Sequence, residues 1–237
     1  MSELAFISGA TAGIGRAIAH KLAAADYRLI ITGRRTDRLQ QLAQNLHAQY
    51  GVAVLPLRFD VQDAEACSKA IGSLPEDWRS IDVLVNNAGL SQGLNPVHEG
   101  DWADWDRMLD TNVKGLLRLS QLICRGMIAR NKGHILMVSS IAGKEVYANG
   151  NVYCASKHAV EAITKSMRLE LNPYGIRVSS IAPGLVETEF SEVRFKGDLA
   201  RAAQVGMVPF LLGDAVKALI AALIVSGGWA ALSARRS

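Results

Sequence analysis

The chain has 237 residues, a length that suits one large α/β domain or two small ones. Apolar residues make up 49% of it, ample for a sizeable core, and the net charge of +4 includes no run of more than two adjacent Lys or Arg, which argues against a nucleic-acid footprint. Three scattered cysteines (Cys67, Cys124, Cys154) and five histidines show no metal-ligand spacing, so no metal is expected, and the cysteine usage fits a reducing cytoplasm.

Residues 4–8 predict a short buried strand, entered directly after Glu3 with no basic signal-peptide region before it. The run Gly9-Ala10-Thr11-Ala12-Gly13-Ile14-Gly15 follows, then a helix with Ile14, Ile18 and Leu22 on its apolar side. Strand, glycine turn and helix form the context in which a glycine motif binds a dinucleotide. Glycines let the backbone approach a pyrophosphate, and the helix N-terminus offers free N–H groups. Gly9, Thr11, Gly13, Ile14 and Gly15 are therefore candidate cofactor-binding residues. Residues 28–32 read as a second strand, followed by a helix capped by Thr36 with Leu39, Leu42 and Leu46 as its stripe. Residues 52–59 and 81–85 read as the third and fourth strands. A long helical stretch from about 101 to 130 places Trp105, Leu109, Leu116 and Ile123 on its apolar side.

The fifth strand, residues 134–140, ends at Ser139-Ser140. The next helix runs from about 152 to 171 and stops at Asn172-Pro173-Tyr174-Gly175; residues 176–181 form a sixth strand before Pro183-Gly184. Residues 218–234 carry no charge but fall short of the ~20 needed to span a membrane, and they read as a final helix and a short last strand. Strands and helices alternate without linker or repeat. This predicts one Rossmann-like α/β domain over residues 1–237, a doubly wound parallel β-sheet flanked by helices on both faces.

Chemistry concentrates in Asn-Val-Tyr-Cys-Ala-Ser-Lys. Tyr153 and Lys157 are four residues apart, which on a helix stacks them on one face. A neighbouring ammonium favours a phenolate, bringing a poor acid–base group towards the working range. Ser140, at the end of the fifth strand, is placed to hold a carbonyl oxygen beside that phenol. Ligands of an open α/β sheet sit outside the carboxyl ends of its strands. Gly9, Arg34, Asp60, Asn86, Ser140 and Pro183 all fall just after a strand and converge there. At the end of the second strand, where NAD enzymes place an acid, stand Gly33, Arg34 and Arg35. Two cations opposing a helix dipole fit a 2′-phosphate and hence NADP.

The glycine turn, Phe59-Asp60-Val61, Asn86-Asn87-Ala88-Gly89, Asn112, Ser140, Tyr153/Lys157 and Pro183-Gly184 occur in an order that resembles the short-chain dehydrogenase/reductase family, from residue 4 to about 198. The resemblance implies hydride transfer between NADP and an alcohol or carbonyl. Tyr153 would move the alcohol proton and Ser140 would fix the substrate oxygen. Lys157 would lower the Tyr pKa and bind the nicotinamide ribose, and Asn112 would hold a water linking Lys157 to solvent. It adds Asp60, Val61, Asn86, Ala88, Gly89, Pro183, Gly184, Val186 and Thr188 to the cofactor site, with Asn86 also bracing neighbouring strands.

Residues 185–198, with Asn-Asn-Ala-Gly-Leu and Gly-Asn-Val-Tyr, look like the NADP-dependent 3-hydroxy acid (serine-type) dehydrogenase branch. That region would form a lid in which Arg194 and Lys196 meet a substrate carboxylate. A broader-range ketone/aldehyde (carbonyl) reductase and a catalytically silent NADP-binding regulator are the alternatives. After about residue 198 the chain departs from the branch. The expected partners are a small-molecule substrate and further copies of the chain, as dimer or tetramer, with no nucleic acid and no membrane.

Overall fold

The computed structural model describes residues 2–184. Within them six parallel strands form one sheet: β1 (Leu4–Ile7), β2 (Arg28–Gly33), β3 (Val54–Arg58), β4 (Val83–Asn86), β5 (Gly133–Val138) and β6 (Ile176–Ile181). Their order across the sheet is β3-β2-β1-β4-β5-β6. The chain leaves β1 in one direction for β2 and β3, then returns to the other side of β1 with β4. The carboxyl ends of β1 and β4 therefore flank a topological switch point, where open α/β sheets form a crevice. Ile7 lies in register with Ile31 on one side and Val85 on the other.

The two-residue alternation of the strands divides the core. Leu4, Phe6, Ile30, Leu84, Ile135 and Met137 face one layer, formed by α5 (Leu116–Arg130) and α6 (Asn151–Leu171). Ala5, Ile7, Leu29, Ile31 and Val85 face the other, formed by α1 (Gly13–Ala24) and α2 (Thr36–Tyr50). Near-continuous apolar strands such as β1 and β2 are what burial on both faces requires. No helix of the described residues is long and apolar enough to cross a membrane.

Several local expectations are corrected. β1, β3, β4 and β5 are one to three residues shorter than the runs that predicted them, β2 is one residue longer, and β6 matches its run. Thr36 does not cap α2: it is the first helical residue, and Arg35 occupies the cap position without a side-chain bond. A short helix, α3 (Ala64–Gly72), was not expected; Cys67 is its one fully buried residue, so the apolar stripe is faint. Its legible signal is Asp63, whose carboxylate caps the Ala66 N–H at 2.9 Å.

The long stretch 101–130 is α4 (Trp102–Leu109), a π-turn (Asp110–Gly115) and α5 in unbroken succession. A π-turn accommodates one extra residue and so rotates the following face by about 100°. The expected stripe through Leu116 and Ile123 is buried in α5, but extended back across the turn it falls out of step with α4, where Leu109 is 37% exposed and Met108 is buried in its place. The same rotation brings Asn112 inward, to 1% exposure. The final helix and strand expected within 218–234 lie outside the described residues.

Candidate active site

The glycine turn is held from beneath by two residues of adjoining strand ends. Ser8, just after β1, accepts hydrogen bonds from the Asn87 and Ala88 N–H groups at 3.0 Å each. Asn87, just after β4, returns two bonds of 2.9 Å from its amide to the carbonyls of Ser8 and Gly9. Gly9 has φ +66° and Gly13 φ +51°, backbone that side chains disfavour. A Cβ on Gly15 would lie 2.3 Å from the Asn87 amide nitrogen and 2.4 Å from the Gly9 carbonyl. The turn thus stays closed against β4, and α1 starts with no side-chain cap and no acid in its first turn. An uncapped, acid-free helix start facing a crevice suits a pyrophosphate.

The neighbouring edge discriminates charge. A Cβ on Gly33 would stand 3.0 Å from the Thr11 methyl, so the place where an acid would face a ribose 2′-hydroxyl is already filled. Arg35 donates to the Thr11 hydroxyl at 3.1 Å, which fixes it over the turn. The Arg34 side chain is 64% exposed and reaches Asp60 at only 3.5 Å, a weak contact that leaves its guanidinium accessible to an anion. Asp60 also accepts from the Gln62 N–H at 3.0 Å. Val61 is buried instead, its side chain packed where a Cβ on Gly115 would be 2.8 Å away and its carbonyl accepting from Arg118 at 3.2 Å. Glycine turn, bare helix start and basic edge together fit NADP.

The third group sits across the crevice on α6 and the end of β5. Tyr153 and Lys157 are 8% and 5% exposed, with the Lys157 ammonium 6.0 Å from the Tyr153 ring centroid. Lys157 donates to the Val138 carbonyl at 2.9 Å. Burial holds its ammonium well below the ordinary lysine range, at about 8. Gly89 lies beside it: a Cβ there would be 3.5 Å from Lys157 Nζ, an ordinary contact, and a tight 3.2 Å from Asn112 Oδ1. Ser140 caps a 3-10 turn (Ile141–Gly143), its hydroxyl accepting from the Ala142 N–H at 3.1 Å. That turn packs on α6, since a Cβ on Gly143 would meet the Lys157 carbonyl at 2.7 Å.

Other expected residues hold the frame. The Asn86 amide donates to Ser120 at 2.8 Å and lies 3.3 Å from the Met137 sulfur, so it braces β4 against α5 and β5. The Asn112 side chain pairs with both backbone groups of Leu90 at 2.8 Å and donates to Ser156 at 3.0 Å. Ser156 in turn donates to the Tyr153 carbonyl at 2.7 Å, coupling the π-turn to the helix of Tyr153. Ser8, Asn87 and Ser156 are the residues that sequence reasoning missed. Asn87 stood inside the quoted Asn-Asn-Ala-Gly motif, and its offset of one from Asn86 was the available signal. The Pro183 carbonyl accepts from the Ile141 N–H at 3.1 Å, and among the described residues no atom lies within 4 Å of a Cβ built on Gly184. Val186, Thr188, Arg194 and Lys196 lie outside the described residues. Among the described residues no group of three or more His, Cys, Asp or Glu could hold a metal ion.

The buried ammonium gives a signed prediction. Below pH 8 Lys157 is charged in both folded and unfolded chains, and the desolvation cost is carried in full. Between about 8 and the ordinary 10.5, the unfolded chain keeps a proton the folded chain has released, so this residue makes stability rise with pH. Lys157→Met removes a cost on the order of 3 kcal/mol and loses one hydrogen bond contributing about 1 kcal/mol. Urea unfolding should find this variant more stable at pH 6.5, with the advantage gone near pH 10. A pH-independent difference would contradict the assignment.

Comparison with known proteins places this geometry. The family model for short chain dehydrogenases matches residues 3–198. A "Probable NADP-dependent dehydrogenase" of Haemophilus influenzae is 49% identical over 202 residues, 85% of this chain and 79% of that protein. An NADP-dependent 3-hydroxy acid dehydrogenase of Salmonella typhi is 45% identical over 202 residues, 85% of this chain and 80% of that one. Among solved structures, the closed form of a serine dehydrogenase complexed with NADP+ superposes with TM-score 0.81 at 41% identity, covering 86% of this chain and 82% of that one. The chain belongs to the short-chain dehydrogenase family.

Proposed function

We propose that the chain is an NADP-dependent oxidoreductase acting on the CH–OH group of a small 3-hydroxy acid. The observation that carries the reading is the buried Lys157 ammonium beside Tyr153, one helical turn along α6 and across the crevice from the uncapped glycine turn. The relatives named for NADP and for 3-hydroxy acids support the cofactor and the substrate class.

NADP would be held by Gly9, Thr11, Gly13, Ile14, Gly15, Arg34 and Arg35, with Asp60, Ala88, Gly89, Pro183 and Gly184 around it, and it would supply or accept the hydride. Tyr153 takes the hydroxyl proton during oxidation and returns it during reduction. Lys157 favours the phenolate by charge, and its burial strengthens that effect because little water screens it. Ser140 holds the substrate oxygen from the end of β5. Asn112 has its side-chain amide committed to Leu90 and Ser156, so its part in a proton path falls to its backbone carbonyl. Arg194 and Lys196 are proposed to bind the substrate carboxylate, and Val186 and Thr188 the cofactor.

A single domain, assembling as a dimer or tetramer in the cytoplasm, completes the reading. The three free cysteines are compatible with a reducing compartment.

Cofactor choice is tested by calorimetry. NADP(H) should bind at least tenfold more tightly than NAD(H), about 1.4 kcal/mol for a charged contact, and Arg34→Ala should erase much of that gap. Equal affinities in the parent protein would sink the assignment. The substrate class is tested by turnover of serine, 3-hydroxyisobutyrate and 3-hydroxypropionate against their methyl esters, following NADPH absorbance. Free acids should be preferred, and Arg194→Ala should lower kcat/KM for them roughly ten- to a hundredfold, the loss of a charged hydrogen bond of about 1.5–3 kcal/mol. Tyr153→Phe should abolish turnover with cofactor binding intact. Esters turned over as well as acids would leave a general carbonyl reductase in place of the acid dehydrogenase.

A further inference from the structure

Glu161 is a buried carboxylate that the chemistry above does not use. It lies on α6 four residues after Lys157, hence on the same face one turn on, and its side chain is 8% exposed. Its Oε2 accepts from the Lys144 ammonium at 2.6 Å and from the Ser180 hydroxyl at 3.4 Å. Its Oε1 is buried with no hydrogen-bond partner. Burial pushes this carboxyl's pKa up, but the Lys144 ammonium together with the Ser139 and Ser180 hydroxyls more than offsets it, and the group is held below the ordinary carboxylate range. An ion pair with one buried member is a poor source of stability, since well-packed apolar groups serve as well. Its placement points to another use.

Three segments meet at this carboxylate. Lys144 ends the turn that begins at Ser140, α6 carries Tyr153 and Lys157, and Ser180 lies on β6, which leads to Pro183. The turn is internally rigid. Ser140 accepts from the Gly143 N–H at 2.9 Å, and Ile141 accepts from the Lys144 and Glu145 N–H groups at 2.8 and 3.0 Å. The Ile141 N–H donates to the Pro183 carbonyl at 3.1 Å. A unit of this kind moves as a whole about its ends. One end is Ser140 and the other is tethered by Lys144 to Glu161.

We propose that Glu161, through Lys144, is a positioning residue that sets the distance between the Ser140 hydroxyl and the Tyr153 hydroxyl. The proposal rests on Ser140 and Tyr153 being the reacting groups. Without the tether the turn rests on Ala142, buried against Tyr153 and Cys154, on the Gly143 contact and on the Pro183 bond, and its Lys144 end is released so that Ser140 shifts relative to the phenol. A misplacement on the order of 1 Å at a reacting centre costs up to about a hundredfold in rate. The glycine turn and the basic edge, which hold most of the cofactor, lie on the other side of the crevice, while Pro183 is bonded to this turn through the Ile141 N–H.

The test measures kcat, KM, NADP affinity and thermal stability for Lys144→Met, Glu161→Gln, the double variant and Lys144→Arg. Removing Lys144 alone leaves the buried Glu161 carboxylate unpaired, so Glu161→Gln and the double variant, which remove that charge, keep the test readable if Lys144→Met is destabilised. Each single change should lower kcat by roughly tenfold, with NADP affinity within about twofold of the parent, because only the position of Ser140 changes. The double variant should be no worse than the more damaged single, as for one acting unit, and Lys144→Arg should retain most of kcat. A kcat within twofold of the parent for Lys144→Met would overturn the proposal. So would a loss of NADP affinity that parallels the loss of kcat. An inactive Tyr153→Phe alongside a normal Lys144→Met would refute this inference alone, whereas an active Tyr153→Phe would refute the reading of the site.

Discussion

The buried ammonium of Lys157 is the constraint on which the rest of the structure depends. A lysine at 5% exposure is expensive to keep charged, and one hydrogen bond to the Val138 carbonyl does not repay its lost hydration. The cost is tolerated where it does chemistry, and the surroundings are arranged to admit it. Gly89 leaves room for the Asn112 side chain beside the ammonium, and Asn112, drawn inward by the π-turn, closes that side through Leu90 and Ser156. A pKa near 8 puts the group close to working pH, where it remains mostly cationic and exerts its field on a phenol that little water screens.

The opposite wall of the crevice solves a different problem, keeping a glycine-rich turn open to an anion without letting it collapse. Asn87 and Ser8 do this by satisfying backbone groups from below, so that the upper N–H groups at the start of α1 remain directed into the crevice. The strand order converts these two local solutions into one site. With β4 beside β1, Asn87 lies against the glycine turn; with β5 beside β4, Ser140 and the Val138 carbonyl come up to Lys157. Gly9 and the Ser140–Tyr153 segment are far apart in sequence and share one crevice because the sheet is ordered this way.

Much of this was legible in the sequence. The parallel sheet followed from the alternation of apolar strands with amphipathic helices, and the crevice followed from motif residues that all stood just after strands. Physical properties that depend on neighbours were not legible. Nothing in the periodicity around Asp110 announces a π-turn, so the exposure of Leu109 and the pairing of the Asn112 side chain with the Leu90 backbone are not readable from it. The bracing expected of Asn86 is what its bonds and register show, whereas the role of Asn87 beneath the glycine turn depends on β4 lying beside β1 and is carried in the sequence only by its offset of one from Asn86. Glu161 was invisible for the same reason: its value lies in Lys144 and Ser180, neither of which is near it in sequence.

The central claim is that Lys157 is a desolvated cation titrating near neutral pH. The most direct measurement is an NMR titration of the Lys157 side chain, labelled with carbon-13 at Cε, with Lys157→Met used to assign the signal. The account predicts a midpoint near 8, set apart from the exposed lysines, which titrate above 10. A Lys157 signal that titrates with the rest would contradict it.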